Sequence, residues 1–129
     1  MSQPHQLALM STLKKQRTVD LICGSFDLND RRKFDLKKED GTVIVELFFK
    51  PITRSDRLRA MERAESDDAL LLSTQMLCQM AELEDGTKAF AMADVSKLQR
   101  ELPESVLNEV ELFLHGLGGD VEIAEAKND

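Results

Sequence analysis

A short run that alternates apolar and polar residues and a longer, mostly apolar run flank an Asp-Gly pair in the first half of the chain. Residues 34–36 precede Asp40-Gly41, and residues 42–49 follow it. A period of two places successive side chains on opposite faces of a strand, and glycine tolerates the positive φ of a tight turn. The pattern therefore predicts a β-hairpin. Because helical patterns follow it, the fold class is predicted to be α+β.

The longer of the two runs carries apolar side chains on both of its faces. Val43, Val45 and Leu47 fall on one face, and Ile44 and Phe48 fall on the other. A strand with one polar face usually borders solvent there. Two apolar faces predict that both are covered, or that one is offered to a partner.

The residues before the hairpin carry weaker patterns. Residues 19–23 form a short apolar run, which we interpret as a further strand of a small sheet over about 19–49. Residues 1–18 are predicted to be only partly ordered, with a short and poorly capped helix over 7–15.

A group of three to four helices is predicted after the sheet, over about residues 53–117. Thr53 and Asp56 have the spacing of a capping box, which predicts the start of the first helix. Leu58 and Met61 mark the apolar side of that helix.

The later helices have clearer apolar stripes. Ser66, followed by two acids, predicts the start of a core helix, and a short helix follows from Asp94. Pro103 suits the first turn of a final helix. The stripe of that final helix comprises Val106, Leu107, Val110, Phe113, Leu114 and Leu117. Residues 19–118 are therefore predicted to form a single domain, followed by a flexible acidic tail at 119–129.

Charge is unevenly distributed along the chain, which has 129 residues and a net charge of -7. Residues 1–60 carry 12 Lys/Arg against 8 Asp/Glu, whereas residues 61–129 carry 5 against 16. An acidic half repels nucleic acid and favours basic protein partners. The short basic clusters at 31–33 and 37–38 lack interleaved aromatic residues, so no nucleic-acid partner is predicted.

Membrane and secretory signals are missing from the sequence pattern. No apolar run approaches the roughly 20 residues that span a bilayer, and residues 1–5 do not resemble a signal peptide. We therefore expect a cytoplasmic protein without a membrane partner. Cys23 and Cys78 have apolar neighbours and are expected to be reduced core thiols.

No pattern in the sequence predicts catalysis, a cofactor or a metal ion. His5 and His115 are far from the two cysteines, and no zinc-ligand spacing is present. Gly118-Gly119 lacks the flanking strand and helix of a phosphate loop. His115 is instead expected to be a cation at a helix C-terminus. We therefore interpret the chain as a non-enzymatic protein.

The sequence has more apolar side chains than the predicted core requires. Phe48, Phe49, Leu71 and Met80 are the residues that we predict to contact a protein partner. The competing interpretation is that a two-sided core consumes all four of them.

Residues 42–118 contain a series of short motifs. The series begins with the β segment that leads into Thr53-Arg54-Ser55-Asp56-Arg57. Its later motifs are Asp85-Gly86-Thr87-Lys88-Ala89-Phe90, Asp94-Val95, Leu98, Leu102-Pro103, Val106-Leu107 and Leu114-His115-Gly116-Leu117. They consist of ordinary residues without a catalytic signature, and together they resemble the tail assembly chaperones of long-tailed, siphovirus-type bacteriophages and prophages.

The resemblance implies a role in phage tail assembly. Such chaperones bind the tape measure protein, which is long and largely helical with apolar faces, keep it soluble and help recruit tail tube protein. They act in the host cytoplasm and are absent from the mature virion. Helix-in-groove contact is the mode that we expect for such a partner. A homo-oligomer is compatible with an open strand edge and the apolar turn at 70–72.

The resemblance also implies a longer form made by programmed ribosomal frameshifting. The residues Ala126-Lys127-Asn128 can be encoded by GCA-AAA-AAC, which contains a slippery heptamer. An AAG codon at Lys127 would rule out this site.

Two other interpretations stay open at the level of sequence. One is a structural component of the virion, such as a head–tail connector or a tail-completion protein. The other is an enzyme or regulator, which the lack of a paired nucleophile and base argues against.

Overall fold

The computed structural model describes residues 17–116. Its elements, in chain order, are α1 (Thr18–Cys23), β1 (Arg32–Lys37), β2 (Val43–Phe49), α2 (Arg54–Ala64), α3 (Ala69–Met80), α4 (Asp94–Glu101) and α5 (Glu104–His115). A hairpin combined with helices is the predicted α+β class. The expected helix over 7–15, most of the segment 1–18 and the tail at 119–129 lie outside the described residues.

The predicted hairpin forms between β1 and β2, which pair antiparallel. Phe34 lies opposite Leu47, and the register becomes irregular between Leu36 and Lys37, near the turn. Gly41 adopts φ +90°, and its amide donates to the Lys38 carbonyl at 2.9 Å. The Asp-Gly pair therefore has the conformational role that the sequence indicated.

The two faces of β2 have different environments. Leu47 and Phe49 are buried and Val45 is partly buried against them, so this face contributes to the core. Ile44, on the other face, is exposed, and Phe48 is half-buried. The hairpin thus covers the core with one face only.

The run at 19–23 is helical, so our interpretation of it as a strand is wrong. The Leu21 amide donates to the Arg17 carbonyl at 3.1 Å, and the Gly24 amide donates to the Asp20 carbonyl at 2.9 Å. These local bonds satisfy the backbone without a neighbouring strand, and a short apolar run has no period that distinguishes the two structures. Cys23 is exposed at the end of this helix, which corrects the expectation that it is a core thiol.

The core is centred on α3, in which every residue from 74 to 80 is buried. A helix that is buried on all sides must have neighbours on several faces. The core residues are Leu47, Phe49, Ala60, Met76, Leu77, Met80, Ala81, Leu107, Val110 and Leu114. The hairpin, α2 and α5 therefore all pack around α3 or against its neighbours.

Helix starts follow the predicted capping chemistry in one case and differ by two residues in another. Asp56 donates its backbone amide to Thr53 Oγ1 at 3.1 Å, and Thr53 donates its amide to Asp56 Oδ2 at 2.9 Å. This is the predicted capping box. The N-cap of α3, however, is Asp68 and not Ser66, because the Asp68 carboxylate accepts from the amides of residues 70 and 71.

The buried side of α2 differs from the predicted one. Ala60 is fully buried, whereas Leu58 is 56% exposed and Met61 is half-buried. A small side chain at the contact lets two helices approach closely, so the alanine and not the leucine faces α3.

Among the helices of the described residues, none is long and apolar enough to cross a membrane.

Candidate protein-binding groove

A groove of about 590 Å³ lies between α3, α4 and α5. We call it the helical groove. Its lining residues are Asp68, Leu70, Leu71, Thr74, Gln99, Leu102, Glu104, Leu107, Asn108 and Glu111. Concave sites between helices, with apolar walls and a few convergent polar groups, are common binding sites in proteins.

The start of α3 forms one wall of the helical groove, and the end of α4 and the start of α5 form the other. The Asp68 cap begins α3, which places Leu70 at the rim with 65% exposure and Leu71 half-buried beside it. On the other side, α4 ends at Glu101 with Leu102 as its C-cap, and Pro103 precedes α5. Proline has no amide to donate and suits this position, so the chain turns sharply into the second wall.

The floor of the helical groove carries a hydrogen-bonded acid. Glu111 is only 7% exposed, and its Oε2 accepts from Thr74 Oγ1 at 2.7 Å. Gln99 Nε2 in turn donates to Thr74 Oγ1 at 3.2 Å. Burial raises the pKa of Glu111, although the hydrogen bond from Thr74 opposes that shift.

The charged groups that line the helical groove are all acidic. They are Asp68, Glu104 and Glu111, and no Lys or Arg of residues 17–116 lines it. Leu70, Leu71 and the other leucines supply apolar surface between these acids. Such a groove complements a helix with an apolar stripe and a basic flank, because both surfaces then find partners.

Replacing Glu111 with glutamine is expected to stabilise the protein at neutral pH by about 1 kcal/mol or less. The pKa of Glu111 is raised on folding, so the folded state holds the proton more tightly than the unfolded state. The parent therefore loses stability as pH rises from the ordinary carboxyl value through the raised value. Glutamine keeps an acceptor for Thr74 without the charge.

Urea unfolding of both proteins at neutral pH and at a pH below the ordinary carboxyl value of 4.5 provides the measurement. The stability difference should be present at neutral pH and shrink in acid. A variant less stable than the parent at neutral pH would show that the Glu111 carboxylate supports the fold.

The four predicted contact residues occupy different places in the structure. Leu71 lies in the helical groove, and Phe48 is half-buried with the Arg31 guanidinium 4.8 Å from its ring centroid. Phe49 is fully buried and Met80 is 9% exposed, both in the core. In this conformation, therefore, only Phe48 and Leu71 are open to a partner. Their binding role stays a prediction.

Leu70 and Glu111 line the helical groove but are not among the predicted contact residues. The apolar turn at 70–72 is the signal in the sequence that lies nearest to Leu70. Glu111 lies directly after Val110 in the final stripe and gave no separate signal. Its role depends on Thr74, which is 37 positions away in the sequence.

Burial changes the protonation of two other reactive side chains, Cys78 and His115. Burial raises the pKa of the Cys78 thiol to about 12, so it stays protonated. His115 ends α5, as predicted, but burial and the neighbouring Arg57 lower its pKa. At neutral pH it is therefore uncharged, which corrects the expectation of a cation there. Residues 17–116 contain no group of three or more side chains placed to hold a metal ion.

Comparison with known proteins gives one similarity. No family model matches this chain, and no curated protein matches it. Among solved structures, the tail assembly chaperone of bacteriophage HK97 is similar, with a TM-score of 0.44 and 12% sequence identity. The matched region covers 66% of this chain and 84% of that chain.

Proposed function

We propose that this protein is a non-enzymatic phage tail assembly chaperone that binds the tape measure protein. In this role it holds apolar helices of the tape measure protein in the helical groove, keeps that protein soluble and helps recruit tail tube subunits. The proposal starts from the sequence resemblance of residues 42–118. The helical groove supplies a physical means of binding.

The observation that carries the proposal is the composition of the helical groove. Leu70 and Leu71 present apolar surface at its rim, and every charged lining residue is an acid. An exposed leucine beside a concave surface is costly in water, and a partner's apolar stripe would remove that cost. The resemblance implies that the tape measure protein is largely helical with apolar faces, which fits this surface.

The charge of the second half supports the same role. Residues 61–129 carry 16 Asp/Glu against 5 Lys/Arg. A complex with one acidic face repels other complexes of the same kind, which opposes aggregation of an apolar partner. Action in the host cytoplasm, absence from the mature virion and a frameshifted longer form belong to this proposal as consequences of the resemblance.

Co-expression with the tape measure protein tests the proposal. The partner is the long, helical protein encoded downstream, and its solubility and co-purification are measured with and without this chain. We expect soluble partner only when this chain is present. A partner that is equally insoluble in both cases contradicts the proposal. Detection of this chain in purified particles would favour the alternative of a virion component, such as a head–tail connector or tail-completion protein.

A further inference from the structure

A second cleft, of about 530 Å³, lies on another part of the surface, where β1, α2 and α5 meet. We call it the arginine cleft. Its lining residues are Asp30, Arg32, Phe49, Pro51, Ile52, Thr53, Arg54, Arg57, Leu114 and His115. Three arginines and one carboxylate thus line this concave surface.

The three arginines of the arginine cleft lack ion-pair partners within residues 17–116. Elsewhere in that part of the chain, Arg31 pairs with Glu82 at 3.2 Å. No such pair involves Arg32, Arg54 or Arg57, and Asp30 is not within ion-pair distance of them. Guanidinium groups that converge on a concave surface without partners form a site for carboxylates or phosphates.

His115 adds a second polar group to this cleft. Its Nε2 atom is buried and has no hydrogen-bond partner among the described residues. Arg57 repels the charged form of the imidazole, and burial disfavours it further. The ring is therefore neutral, and the positive charge of the cleft comes from its arginines.

We propose that the acidic segment at residues 120–129 of this chain binds in the arginine cleft. The segment carries Asp120, Glu122, Glu125 and Asp129 against one lysine, so its charge complements the cleft. The chain passes directly from His115, which lines the cleft, towards that segment. Its carboxylates would pair with the arginines that lack partners.

The distance to be bridged is short. Four residues lie between His115 and Asp120, and an extended chain spans roughly 3.3–3.6 Å per residue. The segment therefore begins within reach of the cleft, which His115 itself lines. Gly118-Gly119 also permits a reversal that other residues resist. A short tether holds a ligand at an effective concentration in the mM range, so weak ion pairs would give a bound population on the order of one half.

Nuclear magnetic resonance of the full chain tests this proposal through the amide signals of residues 120–129. One variant carries Arg54→Gln and Arg57→Gln together. Its matched control is Arg100→Gln, which changes an exposed arginine of α4 that pairs with Glu101 at 3.8 Å, away from the cleft. We expect the double substitution to move the segment's signals towards random-coil positions and the control to leave them unchanged.

A reciprocal variant protects the test against misfolding of the double variant. Asp120→Asn, Glu122→Gln and Glu125→Gln change no residue of the described part of the chain. These substitutions should shift the side-chain signals of Arg54 and Arg57, and high salt should shift them similarly.

The proposal fails if the segment's signals are the same in the parent and the double variant. It also fails if an added synthetic peptide of glutamates shifts the Arg54 and Arg57 signals while the segment's signals stay at random-coil positions. In that case the cleft takes the acidic segment of another protein.

Discussion

Replacing Phe49 with alanine is expected to lower the free energy of unfolding by about 3–5 kcal/mol. The ring is fully buried, and it lies 5.9 Å from the Phe113 ring, centroid to centroid. Removing it would leave a cavity that β2, α3 and α5 surround. Domains of this size have total stabilities of about 5–15 kcal/mol, so this loss would leave a substantial unfolded population.

Phe48→Ala is the matched control for this substitution. The two phenylalanines are neighbours in β2, but Phe48 is half-buried and contacts Arg31 on the other face. Its removal is expected to cost about 1 kcal/mol, because less apolar surface returns to water. Urea unfolding of both variants gives the comparison. Equal losses in the free energy of unfolding would contradict the structure, in which Phe49 lies on the core face of β2 and Phe48 on the other face.

Leu70→Glu is expected to weaken the proposed binding of the tape measure protein at least about 10-fold while the fold stays intact. The side chain is 65% exposed, so little of it is lost from the core. An acid in the first turn of α3 is also favourable, because the helix dipole stabilises negative charge there. In a complex, however, the new carboxylate would be buried against an apolar stripe and beside the existing acids of the helical groove.

Leu112→Glu provides a control of equal exposure. Leu112 is 66% exposed on α5, and it does not line the helical groove. Both variants are compared with the parent in the co-expression assay, and circular dichroism checks that each is folded. The partner should precipitate with Leu70→Glu and stay soluble with Leu112→Glu. The same loss with both variants would mean that a broader apolar surface, and not the helical groove, binds the partner.

These two predictions assign different roles to residues that the sequence alone does not distinguish. The predicted contact residues are all apolar, and the sequence around them does not indicate how exposed each side chain is. They are Phe48, Phe49, Leu71 and Met80. In the structure, Phe49 and Met80 are core residues, whereas Leu71 lines a groove. Exposure depends on which neighbours arrive from distant parts of the chain. The predicted contact set therefore mixes core and surface.

Local chemistry determined the elements that the sequence predicted well. The strand-forming runs at 34–36 and 42–49 and the Asp40-Gly41 turn between them specify a hairpin, and Thr53 with Asp56 specifies a helix start. In each case the residues involved lie within a few positions of one another. Period, turn conformation and capping are properties of such short segments, so they can be read without knowing the fold.

Tertiary structure alone decided the remaining features. The run at 19–23 is a helix held by bonds between its own backbone groups, and Ala60 rather than Leu58 is the buried residue of α2. The helical groove joins Thr74 to Glu111, and the arginine cleft brings Arg32 near Arg57. Packing between distant segments sets these contacts, and its balance of close approach, burial and charge has no signature in any short stretch of sequence.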